Sequence, residues 1–437
     1  MTKNRLLCLS MLAAAAALAG CSQSDPTSPK NGPSGATAES PAAGQAAVNR
    51  TEPVTLTILA SSTELEFESM LIEPVKKKYP HLTLNIIQKG KGASMKELVA
   101  AGQVPDLFTD WTGGMMDLKD LDVFADISPL IQSQRIDLNR FSPNALDSIK
   151  VNSDGVLYGL PFNLQLFMMV YNKDIFDKFG IPYPQDGMTW TQTVNLAKQL
   201  TRLDNGIQYR GLDPDGVQRL GLSLSQIIVN GKTNKADVVN EQWKKVFELG
   251  KSMFSIPGNG QTANPFNDFT KEKRLAMFAT YNRLTQFEAP SKEGLRWDIA
   301  QYPSFEERPN TYGLSNPWMM FISKQSPHKA QAMQVIDVLT SDEVQLINAR
   351  TSAKQSPLSH PRMKTEFGAD LPYLAGKNLA AIFKSQPAPA PAYSDFYSKA
   401  TPLLLSSFAD YANDKIDVNT ALREADEKIN KMISEGK

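Results

Sequence analysis

Residues able to do chemistry through a thiol or an imidazole are scarce in this chain. Its 437 residues include two cysteines, Cys8 and Cys21, and three histidines, His81, His328 and His360. The histidines stand far apart and none falls in an H-x-x-x-H or H-x-H spacing, so a histidine zinc site is not expected and each reads as a surface or loop residue. Cys21 differs because of what precedes it. Lys3 and Arg5 lead an apolar run over residues 6–19, and Leu18-Ala19-Gly20 place small residues directly before the cysteine. Charge, apolar core and small residues before a cut are the parts of a secretory signal peptide, and a run of ~14 residues is too short for a bilayer core that needs ~20.

Leu18-Ala19-Gly20-Cys21 resembles the lipobox of bacterial lipoproteins. The resemblance implies cleavage before Cys21, a diacylglyceryl thioether on its sulfur and acylation of the new amino terminus, palmitate included. Residues 1–20 then form a lipoprotein signal peptide, and the expected location is the extracellular face of the cell membrane, on the periplasmic side where an outer membrane exists. Residues 21–52 read as a disordered tether: from Ser22 to Arg50, Val48 is the only large aliphatic among Ser, Pro, Gly, Ala, Gln and Thr, too few to offset the entropy of ordering. A flexible segment of ~30 residues reaches roughly 30 Å, and two or three acyl chains hold where one is marginal. With Cys8 removed and Cys21 acylated, thiol catalysis, disulfides and thiolate metal sites are excluded. Losing Lys3 and Arg5 takes 46 basic residues to 44 against 46 acidic ones, a net charge of −2 that gives no electrostatic reason to expect nucleic acid.

The remaining ~385 residues exceed one ordinary core and suggest two domains, with no second apolar run long enough to cross a membrane. Val54 to Leu59 alternates as a strand, Ser61-Ser62-Thr63 turns, and Glu64 to Tyr79 has helical spacing up to Pro80. Leu82 to Ile87 is the next strand, a helix follows from about Ser94 to Ala101, and Leu107-Phe108 begins a third strand. Strands alternating with helices predict a parallel sheet covered on both faces, whose ligands sit beyond the carboxyl ends of the strands. That rule nominates Ser62, Thr63 and Glu64 after the first strand, and Asp110 and Trp111 after the third.

Further along, Gly155 suits a positive φ, Phe167 to Tyr171 is a buried-strand run, and Asn172 caps a helix starting at Ile175. Thr189-x-x-Gln192 is a capping box for a helix that Asn205-Gly206 should end, with Trp190 packed at its start; Thr340-x-x-Glu343 is a second capping box. Asp213-Pro214-Asp215-Gly216 lacks the later ligands of a calcium loop and reads as a plain turn. Val418, Ala421, Leu422, Ala425, Ile429 and Ile433 mark the apolar stripe of a final helix. No phosphate-binding Gly-rich loop and no Gly-x-Ser-x-Gly elbow stands where a strand-to-helix turn would need one.

Several stretches, in order, resemble family 1 extracellular solute-binding proteins of ABC importers. They are Pro105-Asp106-Leu107-Phe108 with Trp111-Thr112-Gly113-Gly114, Phe124 to Leu130, Asp154 to Pro161, Val170 to Phe176, Lys273 to Phe278, and Ser341 to Gln345 before Ser356-Pro357. The resemblance spans about Val54 to the carboxyl terminus. It implies an α/β, two-lobed periplasmic-binding-protein-like fold of type II, each lobe a mainly parallel sheet flanked by helices, with the ligand cleft between lobes. One lobe would take residues 53–165 and 318–355, the other 166–317 and 356–437. Carried over by position, the first crossover brings Asn163 and Gln165 to the cleft, and Gln165 replaces a carboxylate of the maltose-binding members. Tyr281 and Arg283 follow the Ala276-Met277 motif, Asn316 and Trp318 sit near the second crossover, and Phe396 and Tyr397 occupy an aromatic pair before a long helix.

Aromatic faces that cover the C–H side of a pyranose, beside planar polar groups that pair with hydroxyls, suit sugar binding. The expected protein is therefore a monomeric receptor, not an enzyme, needing no cofactor or metal. Its partners would be a carbohydrate, an ABC permease and, through Cys21, the bilayer. A binder of a nonsugar solute such as a polyamine is one alternative, and a secreted carbohydrate hydrolase, which needs carboxylates ~5–9.5 Å apart, is another. Because no other segment can hold a membrane, Cys21→Ala should release the protein into the soluble fraction or leave it unprocessed. Detergent-dependent membrane attachment of that variant, followed by fractionation and immunoblot, would contradict the anchor.

Overall fold

The computed structural model describes residues 52–60 and 66–436. The signal segment, Cys21, most of the tether and Ser62, Thr63 and Glu64 lie outside the described residues. The alternating run at the start of the body forms β1 (Val54–Ala60), which pairs in parallel with β2 (Leu82–Gln88) and β3 (Leu107–Trp111). Leu56 and Ile58 are completely buried on its inner side. The segment before Pro80 is shorter than expected: one π-type turn, Glu68–Ile72, leads into an α-helix over Glu73–Lys78. Ser94 caps the helix Met95–Ala100 in a full capping box with Glu97.

The third strand is longer than its apolar pair suggested. Asp110 and Trp111 are its last residues and do not belong to the following loop. Two features hold them there. The Asp110 carboxylate accepts the Trp111 N–H at 2.9 Å, and Gly113-Gly114 allow the short helix Thr112–Met116 to turn back over both side chains. A Cβ at Gly113 would collide with the Trp111 ring, and one at Gly114 with the Asp110 carboxylate.

Gly159-Leu160-Pro161 continues into β4 (Gly159–Leu164), and only Gln165 and Leu166 separate it from β5 (Phe167–Asn172), whose six residues are all buried. β5 belongs to a second sheet with β6 (Arg202–Asp204), β7 (Ile207–Asp213), β8 (Leu275–Tyr281) and β9 (Trp297–Ala300). The chain returns to the first sheet as β10 (Pro317–Ile322). Strand order is β2-β1-β3-β10-β4 in the first sheet and β9-β5-β8-β7-β6 in the second. Both sheets are mixed and flanked by helices. β10 runs antiparallel to β3 and β4, and in the second sheet only β7 and β8 pair in parallel. The returning strand must enter between neighbours that were laid down in the opposite sense.

Local signals mostly hold. Asn172 caps a helix over Lys173–Phe179, and the Thr189–Gln192 capping box starts Trp190–Leu200, with Trp190 buried edge-on against Tyr302. Two expectations are corrected. Asn205-Gly206 does not end that helix, which stops at Leu200; it forms the two-residue turn joining β6 to β7, both residues at positive φ as such a hairpin requires. Ser341, and not Thr340, caps the helix Asp342–Ser352: its hydroxyl accepts the Val344 N–H at 3.3 Å, while the Thr340 hydroxyl donates back to the Ile336 carbonyl. The last helix, Val418–Glu435, buries Ala421, Leu422, Ala425, Ile429 and Ile433 and packs on Tyr397–Ala412.

Asn259 joins the second sheet to the helix Glu241–Phe254. Completely buried, it accepts from the Gly211 and Leu212 amides at 2.8 and 3.2 Å and donates to the Leu212 and Met253 carbonyls at 2.9 Å each. Asn259→Ala strands buried backbone groups that each cost about 1–3 kcal/mol. Urea unfolding should show a loss of about 3 kcal/mol or more, and a loss below about 1 kcal/mol would contradict this linkage.

Candidate functional site

A cleft of ≈ 420 Å³ opens where the ends of the two sheets meet. Three strands bring an aromatic to it in the same way. β3 is buried except at Trp111, β8 except at Tyr281, and β10 except at Trp318. Trp111 and Trp318 are register partners on adjacent strands and both line the cleft. Gln165 and Asn316, from the two passages between sheets, stand at the back, joined by the Gln165 N–H to the Asn316 carbonyl at 3.3 Å. Tyr397 and Thr401 enter from the first turns of the helix Tyr397–Ala412.

Six residues nominated from sequence therefore line one cleft: Trp111, Gln165, Tyr281, Asn316, Trp318 and Tyr397. Four others stand off its wall. Asp110 is buried behind Trp111 with Lys89 at 3.5 Å, and burial pushes its carboxyl above the usual range against the pull of that lysine. Asn163 lies under Trp318, its register partner. Phe396 precedes the helix and turns into the core toward Gly436. Arg283 lies behind Tyr281, its guanidinium 4.2 Å from the ring centre and bound to Asp215 at 3.0 Å.

Sequence reasoning missed the remaining wall. Gln218, Arg219 and Leu222 come from the helix Val217–Leu222, placed by the Asp213-Pro214-Asp215-Gly216 segment. That segment belongs to no group of three or more potential metal ligands, and none exists among the described residues. Yet it is more than a turn. Asp215 and Gly216 both hold positive φ, and the Asp215 carboxylate accepts from the Thr280 hydroxyl at 2.7 Å and from Arg283. Arg219 donates through Nε to the Asp215 carbonyl at 2.6 Å, and its guanidinium lies 4.6 Å from the Tyr281 ring centre.

Thr401 of the wall was missed as well, and so was Tyr393. Buried, with its phenol pushed far above the usual range by burial, it donates to the Asn316 side chain at 2.9 Å and meets Trp111 and Tyr397 edge-on at 5.8 and 4.9 Å. Its own amide donates to the Asn152 side chain at 2.7 Å. One residue thus fixes two aromatic walls and one amide. It follows a Pro/Ala run, the only hint in the sequence.

Two mixed sheets, a cleft at their joined ends and a two-residue passage from the first to the second define a two-lobed binding protein. The chain belongs to the family described as "Bacterial extracellular solute-binding protein", whose sequence pattern matches residues 60–346. That family and the neighbours below are binding proteins, not enzymes.

Among curated relatives, the mannitol-binding protein of Pseudomonas aeruginosa is 32% identical over 114 residues, 26% of this chain and 25% of that protein. The arabinooligosaccharide-binding protein of Bacillus subtilis is 26% identical over 238 residues, 49% of this chain and 54% of that protein. The chain thus spans between a quarter and about half of the length of these relatives. Similar folds include an ABC substrate-binding protein of Listeria monocytogenes in complex with cycloalternan, at 18% identity and TM-score 0.72, covering 88% of this chain and 100% of that one. Another is the sugar-binding protein MalE of Xanthomonas citri, at 19% identity and TM-score 0.70, covering 88% and 98%.

Asp215→Asn removes the charge shared by two guanidinium groups. Urea unfolding should show a loss of about 2 kcal/mol, with Trp318→Ala, a half-exposed wall residue, costing clearly less. Equal losses would place Asp215 outside the frame of the cleft.

Proposed function

We propose that this chain is a lipid-anchored receptor that takes a carbohydrate of oligosaccharide size into the cleft between its lobes and delivers it to the permease of an ABC importer. The acyl chains on Cys21 hold it at the outer membrane face, and it works as a monomer. The observation that carries the reading is the convergence of Trp111, Trp318, Tyr281 and Tyr397 with Gln165, Asn316 and Gln218 on one cleft. Apolar ring faces beside planar amides suit a pyranose, and ≈ 420 Å³ falls in the range of small-ligand sites. The relatives and the solved neighbours named for sugars support the same ligand class.

Closure follows from contacts that both lobes make only when they approach, so ligand shifts an existing open–closed equilibrium. The passages at Leu166 and Pro317 absorb the rotation. A polyamine would need carboxylates in the cleft, and none of the described lining residues is acidic. Nor do the described lining residues offer the carboxylate pair a hydrolase needs.

Thermal-shift screening against an oligosaccharide panel identifies a ligand by the melting temperature it raises. Replacing Trp111, Tyr281, Trp318 or Tyr397 by Ala should then weaken that sugar about threefold to tenfold in titration calorimetry, in line with a stacking contact of ~0.5–1.5 kcal/mol. Trp190→Ala should lower stability instead. Unaltered sugar affinity in all four cleft variants would move the site elsewhere.

A further inference from the structure

We infer that the sugar taken by this cleft carries a carboxylate, as a hexuronate does, and that Arg219 receives it. The inference rests on the carbohydrate reading above. Arg219 is the one charged side chain among the described residues that line the cleft. Its Nε is occupied by the Asp215 carbonyl, whereas its two terminal nitrogens make no hydrogen bond among the described residues, and a quarter of the side chain remains exposed.

Charge balance sets the rest. Arg219 and Arg283 share the single carboxylate of Asp215, at 3.6 and 3.0 Å, which among the described residues leaves one positive charge in excess. The adjoining cluster cannot supply the missing anion. Arg210 and Arg274 there face Asp213 and Asp268, two charges against two. Asp110, at the far wall, is engaged by Lys89.

In the open cleft water screens the excess charge. When the lobes close and water leaves, an uncompensated guanidinium is costly unless an anion meets it. A guanidinium presents two parallel N–H groups that match a carboxylate in its plane. One excess positive charge suits a monoanion, whereas a phosphate dianion would be left half-compensated. The Tyr281 ring centre lies 4.6 Å from the Arg219 guanidinium and 4.2 Å from that of Arg283, and cation–π attraction keeps both beside the ring wall. Arg283, the arginine singled out from sequence, is turned away into Asp215 and acts as the anchor of this arrangement.

The test is titration calorimetry at low salt with matched pairs that differ only by oxidation at C6. The pairs are di- and trigalacturonate against the galactose oligosaccharides of the same linkage, and dimannuronate against mannobiose, with a hexose 6-phosphate as a separate arm. We expect the uronate member of at least one pair to bind roughly ten- to a hundredfold more tightly than its neutral partner. Arg219→Gln should bring that ratio close to one, and Arg219→Lys should keep part of it. Trp111→Ala should weaken both members and leave the ratio intact. Neutral sugars binding as tightly as uronates, a preference that survives Arg219→Gln, or a 6-phosphate that outbinds the uronates would overturn the inference alone. Absence of binding by every sugar in the set would overturn the carbohydrate reading beneath it.

Discussion

The bond from the Gln165 amide to the Asn316 carbonyl ties together the two places where the chain passes between its sheets, and the cleft is arranged around it. The flanking residues are held as well. The Leu164 amide bonds to the Gln355 carbonyl at 2.8 Å, the Asn282 amide to the Leu166 carbonyl at 2.9 Å, and the Asn282 side chain to the Ala353 carbonyl at 2.7 Å. A passage of two residues leaves no slack, so strand ends from both sheets must open on the same space. β3, β8 and β10 are each buried except at one aromatic at or next to the strand end.

The cleft is then stiffened from behind by groups that do not line it. Tyr393 braces the first wall through ring edges and a bond to Asn316, and Asp215 braces the second through Thr280 and two arginines. Both braces depend on low local dielectric, where a satisfied polar group is worth keeping and an unsatisfied one is expensive. Ring faces held in this way lose little freedom on meeting a ligand, which favours affinity through preorganisation.

Much of this was legible in the sequence, for identifiable reasons. Alternating and continuous apolar runs gave β1 and β5 their places, and amide or hydroxyl caps gave the helix starts at Asn172 and Thr189. Trp111 stands out at the end of the third strand, where ligands collect, and Tyr281 and Trp318 through the family resemblance. What sequence hid is long-range. Asp215 looks like any turn residue until Thr280 and Arg283, some 65 positions away, are folded against it. Phe396 and Tyr397 are neighbours in the chain, yet the first turns of a helix point successive side chains about 100° apart, so one faces the core and the other the cleft. Asn205-Gly206 serves a hairpin turn as readily as a helix end, and only the pairing of β6 with β7 decides between them.

The central claim is that ligand contacts on both lobes draw them together about the passages at Leu166 and Pro317. Small-angle X-ray scattering of residues 53–437, with and without the saccharide that gives the largest thermal shift, tests it most directly. The account predicts a smaller radius of gyration at saturating ligand. An unchanged radius with calorimetrically confirmed binding would contradict it.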